Sequence, residues 1–387
     1  MNTTAISQEK MPIPWARAIC YSGYRENQHP NKQIYPSKSQ IKEDLEIIAG
    51  SDVDWNLLDG STMLVTGAAG LIGSQIIKAI ACRNRIYKCN IKIVACARNV
   101  EKAKVVFADI FNRSDLKIIE GDVTKVFEVK EKVDYLIHTA SATASKEFVT
   151  KPVEVIQTAI NGTQNFLELA KNKNAKGAVY LSSMEAFGIV QASEKKAEEK
   201  DLGFIDLENV RSCYPESKRL SECLCAAYAS EYNVPIKVAR LSQTFGAGIH
   251  YSENRVFAQF AKSALEKRDI ILHTTGMSFG NYCYTRDTII GILILLTRGC
   301  AGEAYTISNE ESNIRIKDMA QMVASKLAGN NIKVVFDVPE SSLTYGYAPD
   351  TELHLSSAKM QNLGWKPTVS LEESYRRLMR SMLCTKE

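Results

Sequence analysis

From Thr62 onward the chain alternates short, dense apolar runs with longer stretches whose apolar residues recur every three to four positions. Met63–Thr66, Lys92–Ala97, Lys117–Ile119, Val133–Ile137, Gly177–Leu181 and Ile236–Leu241 read as strands. Ser74–Arg83, Val153–Ala170 and Tyr214–Tyr232 have helical spacing. The strands are almost continuously apolar instead of alternating, which predicts burial on both faces. Strand–helix alternation of this kind predicts an α/β fold, a doubly wound parallel sheet covered by helices. After Gly246 the pattern loosens. A helix near Val256–Lys267, a strand at Ile270–Leu272 and a C-terminal helical stretch predict a smaller C-terminal lobe that binds substrate. Ligands of such folds bind at the carboxyl ends of the strands.

The expected organisation follows. Residues 1–60 are polar, weakly patterned and read as an N-terminal arm, with a short helix at Gln40–Ile48. The arm should pack on the main body, because Trp55 needs cover. Residues 61–245 form the main sheet domain, with 286–308 returning to it. Residues 246–285 and 309–387 form the substrate-binding lobe.

Composition narrows the function. With 45% hydrophobic and 24% charged residues among 387, the chain can bury an ordinary core. The net charge of +4 comes from 48 basic and 44 acidic residues that are interspersed, which argues against a nucleic-acid partner. The polar start argues against a secretory signal. The greasiest stretch, Ile289–Leu296, is too short to span a bilayer, so no membrane insertion is expected. Ten irregularly spaced cysteines read as reduced thiols and predict a cytoplasmic location. Cys223 and Cys225 lack a second Cys/His pair at ligand spacing, so no metal is expected.

Gly67-Ala68-Ala69-Gly70-Leu71-Ile72-Gly73 lies between a strand and a helix. Glycines there permit a tight turn and let backbone N–H groups at a helix N-terminus approach a pyrophosphate. The expected ligand is NAD or NADP on a Rossmann-type fold. Arg98, at the end of the second strand, stands where NAD sites usually carry an acid. A guanidinium there suits a 2′-phosphate and leans the expectation toward NADP. The alternative is that Arg98 stacks on adenine or lies in solvent. Asp122 and Val123 follow the third strand, and Asp122 is placed to meet the adenine amine. Thr139, Ala140 and Ser141 end the fourth strand, small residues where backbone must lie against a cofactor. His138 reads as a strand-end residue holding that loop.

Tyr214-Pro215-Glu216-Ser217-Lys218 places Tyr and Lys on one helix face. Oxidising a carbinol needs a base for the hydroxyl proton, and a neighbouring ammonium lowers a tyrosine pKa. Leu181-Ser182-Ser183-Met184-Glu185 supplies a serine at a strand end. Taken with the glycine turn, Gly121-Asp122-Val123, His138–Ser141, Asn161-Gly162-Thr163 and Arg240–Gly248, this order of motifs resembles the extended short-chain dehydrogenase/reductase superfamily. That superfamily holds the nucleotide-sugar epimerases, dehydratases and decarboxylases. The resemblance runs from about Thr62 to the C-terminus. The arm and Arg211-Ser212-Cys213-Tyr214 also resemble a subgroup among bacterial surface-polysaccharide enzymes.

The resemblance implies roles. Ser183 would hydrogen-bond the sugar oxygen, and Tyr214 would be the base. Lys218 would tune Tyr214 and hold the nicotinamide ribose. Gly67, Gly70, Leu71, Ile72, Gly73 and Asn161 would join Arg98, Asp122, Val123 and Thr139–Ser141 around the cofactor. Gln243 and Arg255 would approach the substrate, and a homodimer is expected. Two positions depart from the family pattern. Met184 stands where 4,6-dehydratases have a proton-donating Asp, while Glu185 remains, a Ser-x-Glu pattern closer to the uronate decarboxylases. Glu185 then acts at the sugar, or as a carboxylate that orients a loop. Gly280 stands where relatives place an Arg on the substrate diphosphate, leaving Arg255 or Arg286 to substitute.

The expected partner is therefore a nucleotide sugar, oxidised transiently to a ketone that enables decarboxylation or epimerisation. The alternatives are an NADP-dependent reductase of a keto-sugar or other carbonyl, and a non-catalytic dinucleotide-binding regulator. A regulator has no use for Ser183, Tyr214 and Lys218 together.

Overall fold

The structure, a computed structural model, describes residues 38–190, 195–338 and 352–384. Most of the predicted arm, residues 1–37, lies outside these. The described residues fall in one compact unit. Two helices, α1 (Lys38–Ala49) and α2 (Trp55–Leu58), precede β1 (Thr62–Thr66). Trp55 is covered as expected: it is buried, its indole donates to the Ser51 carbonyl and the Arg83 guanidinium lies over its ring.

A repeated strand–helix pattern follows: α3 (Leu71–Tyr87), β2 (Lys92–Ala97), α4 (Val100–Val106), β3 (Leu116–Glu120) and β4 (Tyr135–His138). Next come α5 (Ser145–Thr150), α6 (Pro152–Asn172), β5 (Gly177–Ser183), α7 (Cys213–Tyr232) and β6 (Ile236–Leu241). After β7 (Gln243–Phe245), α8 (Val256–Glu266), β8 (Ile270–Leu272) and β9 (Phe279–Tyr284), α9 (Thr285–Arg298) leads to β10 (Ala304–Ile307). The chain closes with β11 (Asn309–Arg315), α10 (Ile316–Met322), β12 (Val334–Phe336), α11 (Ala358–Asn362) and α12 (Leu371–Cys384).

Seven strands form one parallel sheet in the order β10-β6-β5-β4-β1-β2-β3. The order reverses between β1 and β4, so a crevice opens there at the carboxyl edge. β1 is buried at every position and β2 at all but its first residue, as the continuous apolar runs require. The apolar stretch Ile289–Leu296 is the centre of α9, a helix buried almost all round.

A second hydrophobic cluster joins Phe245, α8, β8, Tyr282, α10 and α12. It sits beside a three-stranded sheet, β11-β9-β7. α1 ties this region to the first. It packs on α3, α9 and α12 and buries Asp44 among Tyr284, Arg286 and Arg377. The Tyr284 hydroxyl donates to Oδ2 at 2.5 Å, and Arg377 and Arg286 donate to Oδ1 at 3.0 and 3.4 Å. Removing one partner of a buried charge cluster leaves the others uncompensated. Asp44→Ala should therefore lower unfolding stability by about 3 kcal/mol, read from urea denaturation. An unchanged midpoint would show that α1 contributes no such latch.

Candidate active site

The glycine turn departs from β1 and α3 starts at its fifth residue, Leu71, with Gly70 as the N-cap. Gly67 has φ +67°, and a β-carbon there would lie 2.6 Å from the Ala140 nitrogen. A β-carbon on Gly73 would lie 2.6 Å from the Gly67 carbonyl and 2.8 Å from Thr139 Oγ1. Gly70 differs. It is exposed, and an added β-carbon meets only the Gly67 oxygen, at 3.2 Å. Two glycines thus let backbone cross backbone, and the third keeps the helix N-terminus open. This is a cradle suited to a pyrophosphate.

Leu71 and Ile72, in the first turn of α3, are half-buried against the second and first hydrophobic clusters. Thr139 donates to the Thr66 carbonyl at 2.7 Å, and Ser141 to the Ala142 carbonyl. His138 is buried, with Nδ1 2.8 Å from Thr66 Oγ1, and burial pushes its pKa down to about 3. It holds the loop as a neutral ring. Asp122 accepts from the Thr124 backbone and hydroxyl, which hold its carboxyl below the usual range. Val123 packs against Gly162. Arg98 is exposed, with its charge near Asp122. Asn161 is exposed on α6. One turn on, the Asn165 amide donates to the Val123 carbonyl at 2.9 Å.

Ser183 ends β5, where its hydroxyl accepts from the Glu185 N–H at 3.2 Å and caps the 3-10 turn Met184–Phe187. It also hydrogen-bonds Tyr214. Tyr214 and Lys218 share the inner face of α7, and both are buried. The Lys218 ammonium donates to the Leu181 carbonyl at 2.8 Å and the Tyr180 hydroxyl at 3.2 Å, and lies 5.7 Å from the Tyr214 ring centre. Burial lowers the Lys218 pKa to about 8. Tyr214 is pushed up to about 12, by burial first and then by the Glu185 charge, with Ser183, Arg255 and Arg211 opposing. In the unliganded protein Tyr214 is therefore a phenol, ready to donate, and must be helped to ionise.

Two residues were missed. Phe148 of α5 stacks on Tyr214, with centroids 4.3 Å apart and planes at 11°. Arg211 binds both oxygens of Glu185, at 2.9 and 3.2 Å. A basic residue three before Tyr214 was a visible signal for Arg211. Nothing in the sequence pairs Phe148 with Tyr214. Arg286 is no diphosphate clasp. Its guanidinium is buried on Asp44, Asp287 and Thr368, where it ties α1 to the chain before α12. At Gly280 the space for a side chain is filled by the Tyr282 ring, 2.5 Å from an added β-carbon. Arg255, just before α8, remains near Tyr214, paired with Glu253 at 2.7 Å. Gln243 in β7 is half-buried and in register with Tyr282.

The glycine cradle, the strand order and the Ser183–Tyr214–Lys218 group coincide with a family match. A model of the NAD dependent epimerase/dehydratase family covers residues 63–308. The chain belongs to that family. It is 27% identical over 316 residues to UDP-glucuronic acid decarboxylase 1 of Danio rerio, across 81% of this chain and 71% of that one. It is 26% identical over 339 residues to dTDP-D-glucose 4,6-dehydratase of Mus musculus, across 81% and 86%. The fold is shared with the UDP-glucuronic acid 4-epimerase from Bacillus cereus, solved with UDP-glucuronic acid and NAD, at a TM-score of 0.68. That match has 21% identity and covers 83% of this chain and 98% of the other. Within this epimerase/dehydratase framework, Gly70→Val should leave the fold intact, since only one carbonyl stands near. It should abolish dinucleotide binding, measured by nicotinamide fluorescence titration. Full affinity in a folded variant would remove the cradle assignment.

Proposed function

We propose that this chain oxidises a hydroxyl of a nucleotide-linked sugar with bound NAD and uses the resulting ketone for chemistry at the neighbouring carbon. Decarboxylation of a uronate is the first reading. The observation that carries it is the convergence of Ser183, Tyr214 and Glu185 in one pocket wall, with Met184 where a proton-donating Asp would serve dehydration. The decarboxylases among the relatives support it.

Gly67, Gly70 and Gly73 with Asp122 and Thr139–Ser141 would hold the cofactor. NAD bound there supplies the hydride acceptor. Tyr214 takes the hydroxyl proton, while Ser183 holds the sugar oxygen by hydrogen bond. Lys218 contributes positive charge behind the phenol. A ketone β to a carboxylate weakens the bond between that carboxylate and the intervening carbon: carbon dioxide leaves, the electron pair moves to the ketone oxygen, the intervening carbon is then protonated, and return of the hydride to the ketone carbon would restore the hydroxyl and NAD. Arg255 and Gln243 approach the nucleotide side. The arrangement requires the cofactor to stay bound, which distinguishes it from a net reductase. A homodimer would use the outer face of the paired helices α6 and α7, where Val153, Ile156 and Leu220 are exposed. The eight cysteines from Cys82 to Cys300 are unpaired, which supports a reducing compartment such as the cytoplasm.

Epimerisation is the second reading. It is favoured by the bidentate hold of Arg211 on Glu185, because a carboxylate so engaged is not a free proton carrier.

Incubation with UDP-glucuronate and NAD, followed by chromatographic separation and mass analysis, distinguishes these. Loss of carbon dioxide supports decarboxylation, an isobaric product supports epimerisation, and unchanged UDP-glucuronate overturns the uronate reading. Tyr214→Phe should slow cofactor reduction by ~10²–10⁴-fold in a single turnover. Glu185→Gln should still reduce the cofactor but accumulate the keto-sugar. Normal turnover in that variant makes Glu185 a loop-orienting group.

Arg98 enters as a bystander. It is exposed, and the solved neighbours with a named dinucleotide hold NAD. Calorimetric titration should show NAD binding at least as tightly as NADP, with little change in Arg98→Ala. A strong NADP preference lost in that variant would restore the 2′-phosphate role.

A further inference from the structure

Arg211 has no role in the proton transfer at Tyr214 as described above, yet its contacts place it beside that residue. It grips both oxygens of Glu185. Its guanidinium lies 5.7 Å from the centre of the Phe148 ring, whose stacking partner is Tyr214. It sits in the 3-10 turn Val210–Ser212 that runs directly into α7, three residues before Tyr214. The two ion-pair partners are sheltered, with side chains 23% and 29% exposed, so solvent screens them only partly.

A carboxylate this near a buried phenol opposes loss of the phenolic proton, because the phenolate would add a second negative charge to poorly solvated space. A site that keeps Glu185 beside Tyr214 therefore needs a compensating cation. Ser183 faces Tyr214 from β5, Glu185 from the following turn, Arg211 from the turn before α7 and Arg255 from the start of α8. Lys218 stands one turn along α7, and Tyr180 of β5 and Phe148 of α5 are neutral. Arg255 is engaged by Glu253, and Lys218 by the Leu181 carbonyl and Tyr180. Among the described residues, Arg211 is the cation bonded to Glu185.

We propose that Arg211 is a positioning residue for Tyr214: its two-point grip on Glu185 cancels the carboxylate's charge at the phenol and fixes where that carboxylate stands. The proposal rests on Tyr214 being the base. It accounts for two acidic groups coexisting in one buried site. After burial, the Glu185 charge is the largest influence against ionising Tyr214, and Arg211 is among those that favour it.

The test follows the phenolate of Tyr214 by ultraviolet difference absorbance in the NAD-loaded protein, subtracting the signal of Tyr214→Phe. In Arg211→Met the midpoint should rise by about one pH unit. Arg211→Lys, which keeps the charge, should stay near the unsubstituted protein. In the double variant Arg211→Met with Glu185→Gln the midpoint should return, because the charge to be cancelled is gone. An unchanged midpoint in Arg211→Met, or a rise that the double variant keeps, overturns the proposal and leaves Arg211 as packing for α5. Absence of any Tyr214 titration overturns it too, since there is then no proton for the pair to govern. No sugar is needed, so the result stands even if UDP-glucuronate proves not to be a substrate.

Discussion

The backbone of Ala140 passes so close to Gly67 that a β-carbon on either flanking glycine would collide with the turn or with the loop after β4. This crossing sets the spacing between the start of α3 and the carboxyl ends of β4 and β5. It lies where the strand order reverses, and Thr139 and His138 lock it by hydrogen bonds to Thr66. Because β5 is paired to β4 in fixed register, Ser183 emerges at a defined height beside the cradle. α7 then rests on α6 and β5 and delivers Tyr214 opposite Ser183.

Around that geometry the charges are arranged with little solvent to screen them. Behind Ser183, Ser182 donates to Glu222 at 2.5 Å, and Glu222 is held bidentately by Arg240. That buried pair neutralises the back of the pocket and keeps β5 and β6 aligned with α7. In front, Glu185 is matched by Arg211, and Glu253 by Arg255. Lys218, by contrast, is held by the Leu181 carbonyl and the Tyr180 hydroxyl.

The second hydrophobic cluster is held to the sheet from outside. α1, from the polar N-terminal region, carries Asp44 into contact with Tyr284, Arg286 and Arg377 and so joins β9, α9 and α12. This use of Arg286 explains why it does not face a substrate. The absence of a side chain at Gly280 has a comparable cause: Tyr282 needs the room, and its ring packs with Phe245 and the second cluster.

The sequence by itself determined the parallel sheet, the glycine turn and the grouping of Ser183, Tyr214 and Lys218. These depend on local chemistry: apolar runs long enough for buried strands, glycines where a side chain cannot stand, and a four-residue spacing that puts Tyr214 and Lys218 on one helix face. Even the starts and ends of α6 and β5 lie within a few residues of their apolar pattern. Contacts between distant segments were decided only by the tertiary structure. Phe148 meets Tyr214, Asn165 meets the Val123 carbonyl, and Asp44 meets Arg377 across 333 positions. The charge state around Tyr214 belongs to the same class. Spacing along α7 suggests that Lys218 governs it, but burial and the approach of Glu185 and Arg211 outweigh that neighbour, and both depend on how three separate segments fold against one another.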